Sequence, residues 1–274
     1  MLRRFGALAC AAAAVGAVLA GLTAGTVHAD PGCPDVHWIG AAGSGERVDP
    51  TADAGMGRVV LQSYRDLARY LEQDGRTITA EAVEYPAIAV PADGDLLGWA
   101  GFIRSVDTGA AALGVQYSSF AQRCPGTKVV LAGYSQGAMV VHRNLQALAE
   151  SPNLASALLI ADGDRLPNDT TINLGSVSAV RGAGKGVAQD WPILAHAPTA
   201  PLPPALGART VSVCDLGDAV CDYDPDAESV SPAAVAIHTS YARSSSGGYA
   251  WTWPLYQLLG PATATDQPMV LAAG

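Results

Sequence analysis

Lys128 to Leu145 reads KVVLAGYSQGAMVVHRNL, and its two halves have different rhythms. Lys128 to Tyr134 is a β-branched, apolar run of strand length. From Gln136 onward the apolar residues are spaced as on a helix. Gly133, Ser135 and Gly137 straddle the join. A strand that runs at once into a helix, with Gly-x-Ser-x-Gly across the boundary, has the form of a nucleophile elbow. The serine sits in a strained turn, so its neighbours two residues away on either side must be small. The helix that follows supplies unpaired N–H groups and the positive end of its dipole beneath an oxyanion forming at the serine.

A serine hydroxyl at its ordinary pKa is a weak nucleophile, so it needs a base, and the base needs an orienting acid. Beyond residue 29 there are four histidines. His37 opens a strand and suits a core or edge position. His142 lies about two turns down the helix that follows the elbow, away from its N-terminus. His196 falls in a Gly- and Pro-rich stretch and stays open by position. His238, in VAIHTSYA, follows the last clear strand, where the chain order Ser, Asp, His places the base. For the acid, VCDLGDAVCDYD offers Asp215, Asp218 and Asp222. Asp218 lies between Cys214 and Cys221, where a small disulfide ring would hold its carboxylate rigid. Asp162, at the end of ALLIAD, competes, because triad acids also follow strands.

Outward from the elbow, strand-like runs recur as DVHWIGA, TITAEAV, KVVLAG, SALLIAD and RTVSVCD. Helical periodicity lies between them. GRVVLQSYRDLARYLEQDG carries Val60, Tyr64, Leu67 and Leu71 on one face, with Gly75 as a stop signal. GWAGFIRSVDTGAAALGVQYSSFAQRC and GAMVVHRNLQALAES are two further helices. Strands alternating with helices predict a parallel sheet covered on both faces. The expected fold is therefore α/β, a three-layer α/β-hydrolase-type arrangement around a central, mostly parallel sheet. Asp162 to Arg209 stands apart, rich in Gly, Pro, Ala and Asn, with the apolar pieces WPIL and PLPPAL inside it. Such a segment either covers part of the cleft or packs on the body of the fold.

The chain begins with Arg3 and Arg4, an Ala/Gly/Val/Leu stretch, and small residues at −3 and −1 before Asp30. That pattern predicts a secretory signal over 1–29, cut after Ala29, and a secreted product. The alternative, an uncleaved anchor over Gly6 to Ala24, is disfavoured by its Ala and Gly content. Asp30 to Gly274 is then expected to form a single domain that acts as a monomer. The formal charge of the full chain is −9, and Lys128 and Lys185 are its two lysines. An acidic chain lacks the basic footprint of a nucleic-acid partner, and anionic membranes should repel it. Cys33, Cys124, Cys214 and Cys221 make an even count in an exported chain. Cys214 and Cys221 bracket a short loop and are expected to pair, which leaves Cys33 with Cys124. No His, Cys or carboxylate spacing suits a metal, and no cofactor is expected.

GAAGSGE (Gly40 to Glu46), GYSQG (Gly133 to Gly137), CDLGDAVC (Cys214 to Cys221) and HTSYA (His238 to Ala242) occur in that order across most of the chain. In these motifs the sequence resembles the cutinase family of serine esterases, and more closely its secreted actinobacterial members. The resemblance implies a triad of Ser135, Asp218 and His238, and the disulfides Cys33–Cys124 and Cys214–Cys221. It also implies an oxyanion hole from Ser44 and from the N–H of Gln136. The substrate it implies is a carboxylic ester of short to medium acyl length, with cutin-like polyesters as an extension. The alternatives are a lipase or acyltransferase working on cell-envelope lipids, and a binding protein on a hydrolase scaffold. Compared with compact fungal members, the interval from Ser135 to Asp218 is longer, and so is AVCDYDPDAESVSPAAVAI between acid and base. The first half of that second loop is acidic, which makes polyester hydrolysis a weaker expectation than ester hydrolysis itself.

Overall fold

The computed structural model describes residues 32–261 apart from 92–94, 192–193, 195, 228 and 244–249. The expected signal over 1–29 lies outside the described residues, as do Pro192 and Ile193 of WPIL. Six strands form one sheet: β1 (Val36–Ala41), β2 (Ile78–Ala82), β3 (Lys128–Tyr134), β4 (Leu154–Ile160), β5 (Ile172–Leu174) and β6 (Thr210–Val213). Their order is β2-β1-β3-β4-β6-β5, and every pairing is parallel. β3, the strand read first from the sequence, lies at the centre between β1 and β4.

Both faces of the sheet are covered, which is why its strands read as continuous apolar runs. The pleat sends alternate side chains to opposite faces. Ile39, Val129, Leu131 and Leu159 join one core, with Phe102 and Leu113 of α2 (Leu96–Arg123) and Val140 of α3 (Gln136–Leu145). Trp38, Val130, Ala132 and Ile160 join the other, with Leu67 and Leu71 of α1 (Arg58–Gln73). The stop expected at Gly75 is present in detail. Gly75 has φ +73°, its N–H donates to the Glu72 carbonyl, and the Arg76 N–H reaches back to that of Leu71. These two bonds are a Schellman cap, and they require the left-handed conformation that glycine adopts without cost.

α3 ends at Leu145, earlier than the helical pattern through Ser151 suggests, and turns follow it. β5, α4 (Pro204–Gly207), α5 (Pro232–His238) and α6 (Thr252–Leu258) left no periodic signal, being three to seven residues long. Cys33 pairs with Cys124, with Cα atoms 5.6 Å apart, and Cys214 pairs with Cys221 at 6.0 Å. Among the described residues no helix is long and apolar enough to cross a membrane.

Candidate active site

Ser135 stands between the end of β3 and the start of α3, with φ 54° and ψ −120°. A residue with a Cβ holds that conformation only where its surroundings over-determine it. Here the Ser135 N–H donates to the Ile160 carbonyl of β4 at 2.9 Å, and the Ser135 carbonyl accepts from Ala138 and Met139. The flanking glycines are steric requirements. A Cβ on Gly133 would lie 2.1 Å from the Gly137 carbonyl oxygen, and one on Gly137 would lie 2.2 Å from that of Ala41.

His238, the last residue of α5, comes to this turn from the opposite side. Its Nε2 lies 3.0 Å from Ser135 Oγ, and its Nδ1 lies 3.0 and 3.1 Å from the two carboxylate oxygens of Asp218. A carboxylate only accepts, so Nδ1 carries the proton and donates it to Asp218. Nε2 is thereby left to accept from the Ser135 hydroxyl. α5 is started by Ser231, whose hydroxyl accepts from the Ala234 N–H, and by Pro232 at the first helical position.

Asp218 is fully buried inside the Cys214–Cys221 ring. Its Oδ1 accepts from the N–H groups of Val220 and Cys221 at 2.7 and 3.1 Å. Its Oδ2 accepts from the hydroxyl of Tyr241 at 2.9 Å. Burial pushes this carboxyl upward, but the hydrogen bond and charge of His238, together with the two N–H groups, outweigh it. The carboxyl is held below the ordinary aspartate range. Asp218 is therefore ionised wherever a neutral imidazole is available to act as a base.

Three residues that the motif reading left without a role support this arrangement. The Tyr241 hydroxyl accepts from the Asp215 N–H at 2.9 Å while donating to Asp218, and burial pushes its pKa up, which keeps it a neutral donor. Tyr134 donates its hydroxyl to the His238 carbonyl at 2.7 Å, and its ring stacks on the imidazole with centroids 5.3 Å apart. Glu46 accepts from the N–H groups of Gly43 and Arg58 at 2.6 and 3.2 Å, pinning the loop of Ser44 to the start of α1. The available signal was position. Tyr134 adjoins Ser135, Tyr241 follows His238 by three residues, and Glu46 closes the first motif.

Ser44 and Gln136 line the same cleft as Ser135 and His238. Gln136 opens α3, so its N–H is among those a helix leaves unpaired. Its side chain faces the other way, donating to the Ile88 carbonyl and accepting from the Ser105 hydroxyl.

The competing candidates lie elsewhere. Asp162 is buried against His142, with Oδ2 2.6 Å from Nδ1, and belongs to a charged cluster beside α3. His196 is exposed and faces Asp107 at 3.6 Å. His37 is buried in β1, bonded to Thr79 and Glu81 and stacked on Phe120. The segment from Asp162 to Arg209 contributes to both the cleft and the core. Val187, Trp191 and Leu194 line the cleft, whereas Leu202 and Leu206 of PLPPAL are buried in the core on the α2 and α3 face. The cleft has a volume of about 430 Å³ and a largely apolar wall.

A family model described as Cutinase matches residues 32–258 of the chain. The cutinase CUT1 of Coprinopsis cinerea is 22% identical over 80% of this chain and 82% of its own length. A phospholipase of Mycobacterium tuberculosis, Culp4, is 28% identical over 70% of this chain and 69% of its own. Among solved structures, a cutinase-like protein from Cryptococcus sp. superposes with a TM-score of 0.60 at 21% identity. It covers 86% of this chain and all of that one, a likeness of fold. With its all-parallel sheet and a family match that runs through every motif, the chain belongs to the cutinase family, whose members are carboxylic ester hydrolases of the serine type.

Proposed function

We propose that the protein hydrolyses carboxylic esters of short to medium acyl length through an acyl-enzyme on Ser135. The observation that carries this reading is the unbroken hydrogen-bonded line from Ser135 Oγ through His238 to the buried Asp218. In the first step His238 Nε2 takes the Ser135 proton as Oγ attacks the ester carbonyl carbon. The resulting oxyanion is stabilised by the Gln136 N–H and by Ser44. The imidazolium, held by Asp218, then protonates the leaving alcohol as the carbon–oxygen bond breaks. Water, deprotonated by the same Nε2, attacks the acyl carbon, and the imidazolium returns the proton to Ser135 Oγ as the acyl–oxygen bond breaks and the acid leaves. These steps call on side chains and backbone of this chain alone.

A second reading, hydrolysis or acyl transfer on lipid esters, uses the same residues. It is favoured by the apolar wall of the cleft and by the similarity to a protein named as a phospholipase. The leader pattern over 1–29 and the two disulfides support export to an oxidising compartment.

The test is labelling with a fluorophosphonate probe followed by mapping of the labelled peptide, alongside Ser135→Ala. The wild type should carry the label on Ser135. Ser135→Ala should lose several orders of magnitude in kcat on p-nitrophenyl butyrate with its melting temperature within a few degrees of wild type. Turnover retained in the folded variant would place the nucleophile elsewhere. An unlabelled, inert wild type would favour a binding role.

A further inference from the structure

The cleft has two sides, and they are chemically different. His238 stacks on Tyr134, whose ring belongs to the core on the α1 face of the sheet. Phe102 and Met139 belong to the opposite core, and Trp99, Val187 and Trp191 pack against it. Ser135 stands between the two groups. The leaving alcohol must meet His238, which donates its proton, so the acyl chain extends the other way, over the α2 and α3 face. The wall there is a row of aromatic rings. Trp99 meets Phe102 at 5.5 Å and Trp191 at 5.2 Å, and Trp191 meets Tyr223 at 6.2 Å, edge to face.

Trp191 lies in the long segment from Asp162 to Arg209, and Tyr223 lies in the stretch between Asp218 and His238. They are joined by a hydrogen bond from Trp191 Nε1 to the Tyr223 hydroxyl at 2.8 Å. The stretches are also sewn together by backbone. Val187 N–H donates to the Val220 carbonyl at 2.8 Å, and Tyr223 N–H donates to that of Lys185 at 2.9 Å. Gly184 N–H donates to Asp222 Oδ1 at 2.6 Å. Beneath, Gln189 Nε2 donates to the Asp164 and Pro198 carbonyls. A ring fixed on this many sides bounds the space beside it and does not yield to a longer chain.

We propose that Trp191, braced by Tyr223, is the end stop of the acyl pocket and sets the longest acyl chain that the enzyme turns over well. The proposal rests on Ser135 being the nucleophile. The cleft, about 430 Å³ in all, holds the leaving alcohol as well as the acyl chain, so the acyl side takes fewer than the roughly 14 methylene-sized units that the whole would hold at about 30 Å³ each. The favoured substrates are therefore medium-chain monoesters, and long chains are excluded by Trp191.

The experiment compares kcat/KM on p-nitrophenyl esters from butyrate to palmitate for wild type, Trp191→Ala and Tyr223→Phe, with fluorophosphonate labelling of each. A methylene accepted or refused by an apolar pocket changes selectivity by about tenfold or more. Trp191→Ala should raise the palmitate-to-butyrate ratio at least about tenfold. Tyr223→Phe should move the ratio in the same direction by less. A ratio that does not move, or a uniform fall at every chain length, overturns the end stop. Should Trp191→Ala fail to fold, Trp191→Leu is judged by the same ratio. A wild type labelled at Ser135 whose variants keep the wild-type ratio refutes the end stop alone. A wild type not labelled at Ser135 refutes the nucleophile beneath it.

Discussion

Asp218 spends all its accepting capacity on fixed donors, and Tyr241 is the donor that the chain brings from furthest outside the ring. Removing its hydroxyl takes away this donor together with the acceptor of the Asp215 N–H. Tyr241→Phe is expected to lower kcat roughly tenfold with KM little changed, because the imidazole loses part of its orientation while the cleft keeps its shape. The pH dependence of stability distinguishes this from general damage. The Asp218 carboxyl is depressed in the folded state, so its stabilising contribution is fully present above the unfolded aspartate value, near 3.8. That contribution is lost as pH falls through the lower folded value. Losing a hydrogen bond to the carboxylate should cost about 1.5 to 3 kcal/mol at pH 7. The cost should shrink when thermal melts are run below about pH 3.8. A penalty equal at both pH values would mean that Tyr241 acts by packing. The motif HTSYA showed where Tyr241 is in the chain, but its partner depends on a phenol reaching back across the disulfide ring to Asp218.

The two disulfides have separate tasks because they close loops of very different length. Cys33 and Cys124 are 91 positions apart and tie the approach to β1 to the end of α2. Cys214 and Cys221 are seven apart and surround Asp218. In the loop-closure model the long link contributes about 4.6 kcal/mol and the ring about 2.5 kcal/mol. Replacing both cysteines of the long link by serine should therefore lower the melting temperature more while sparing kcat. The same replacement in the ring should lower kcat more than its effect on stability accounts for. Parallel thermal melts and rate measurements on the two double variants check this, and wild-type kcat without the ring would show that backbone N–H groups suffice to place Asp218. At the level of elements, the first three helices were legible from their period, and β1 to β4 and β6 from their apolar, β-branched runs. β5 was not, since its three residues become a strand only by pairing with β6.

Across the whole molecule, a buried cluster of charge joins α3 to the segment that walls the cleft. Arg143 donates to both oxygens of Asp164 at 2.7 and 3.2 Å, and also reaches Asp107 and the Leu194 carbonyl. Burial pushes the Asp164 carboxyl up to about 6, against the opposing pull of Arg143. Asp162 and His142 pair beside it, and burial, which opposes a charge on His142, is outweighed by the surrounding carboxylates, so its pKa is raised. Arg143→Met would leave Asp164 without its cation and should cost about 3 to 5 kcal/mol at pH 7. An acid whose folded pKa is raised binds its proton more tightly when folded, so stability recovers as pH falls through the folded value towards the unfolded one. The deficit in denaturant melts should accordingly be smaller at pH 5 than at pH 7. A deficit that does not change with pH would show that lost packing dominates.

Read alone, the amino-acid sequence determined the parallel architecture and pointed to a strand–serine–helix turn at Ser135 with a candidate acid and base following it in chain order. Each of these leaves a local mark: glycines two residues either side of a serine, continuous apolar runs alternating with runs of period 3.6, and a pair of cysteines seven positions apart. The sequence already favoured Asp218 over Asp162, and the tertiary structure supplies the contacts that separate the two. Asp162 and Asp218 both follow strands, and only the packing turns one toward His142 and the other into the ring. The structure also decided the split of the long segment, sending Trp191 to the cleft and Leu202 to the core, although both are apolar residues in a Pro-rich stretch. Contacts such as Trp191 to Tyr223 join residues far apart in the chain with no repeating pattern between them. They are set by how the loops close over the sheet, a choice that no short window of sequence records.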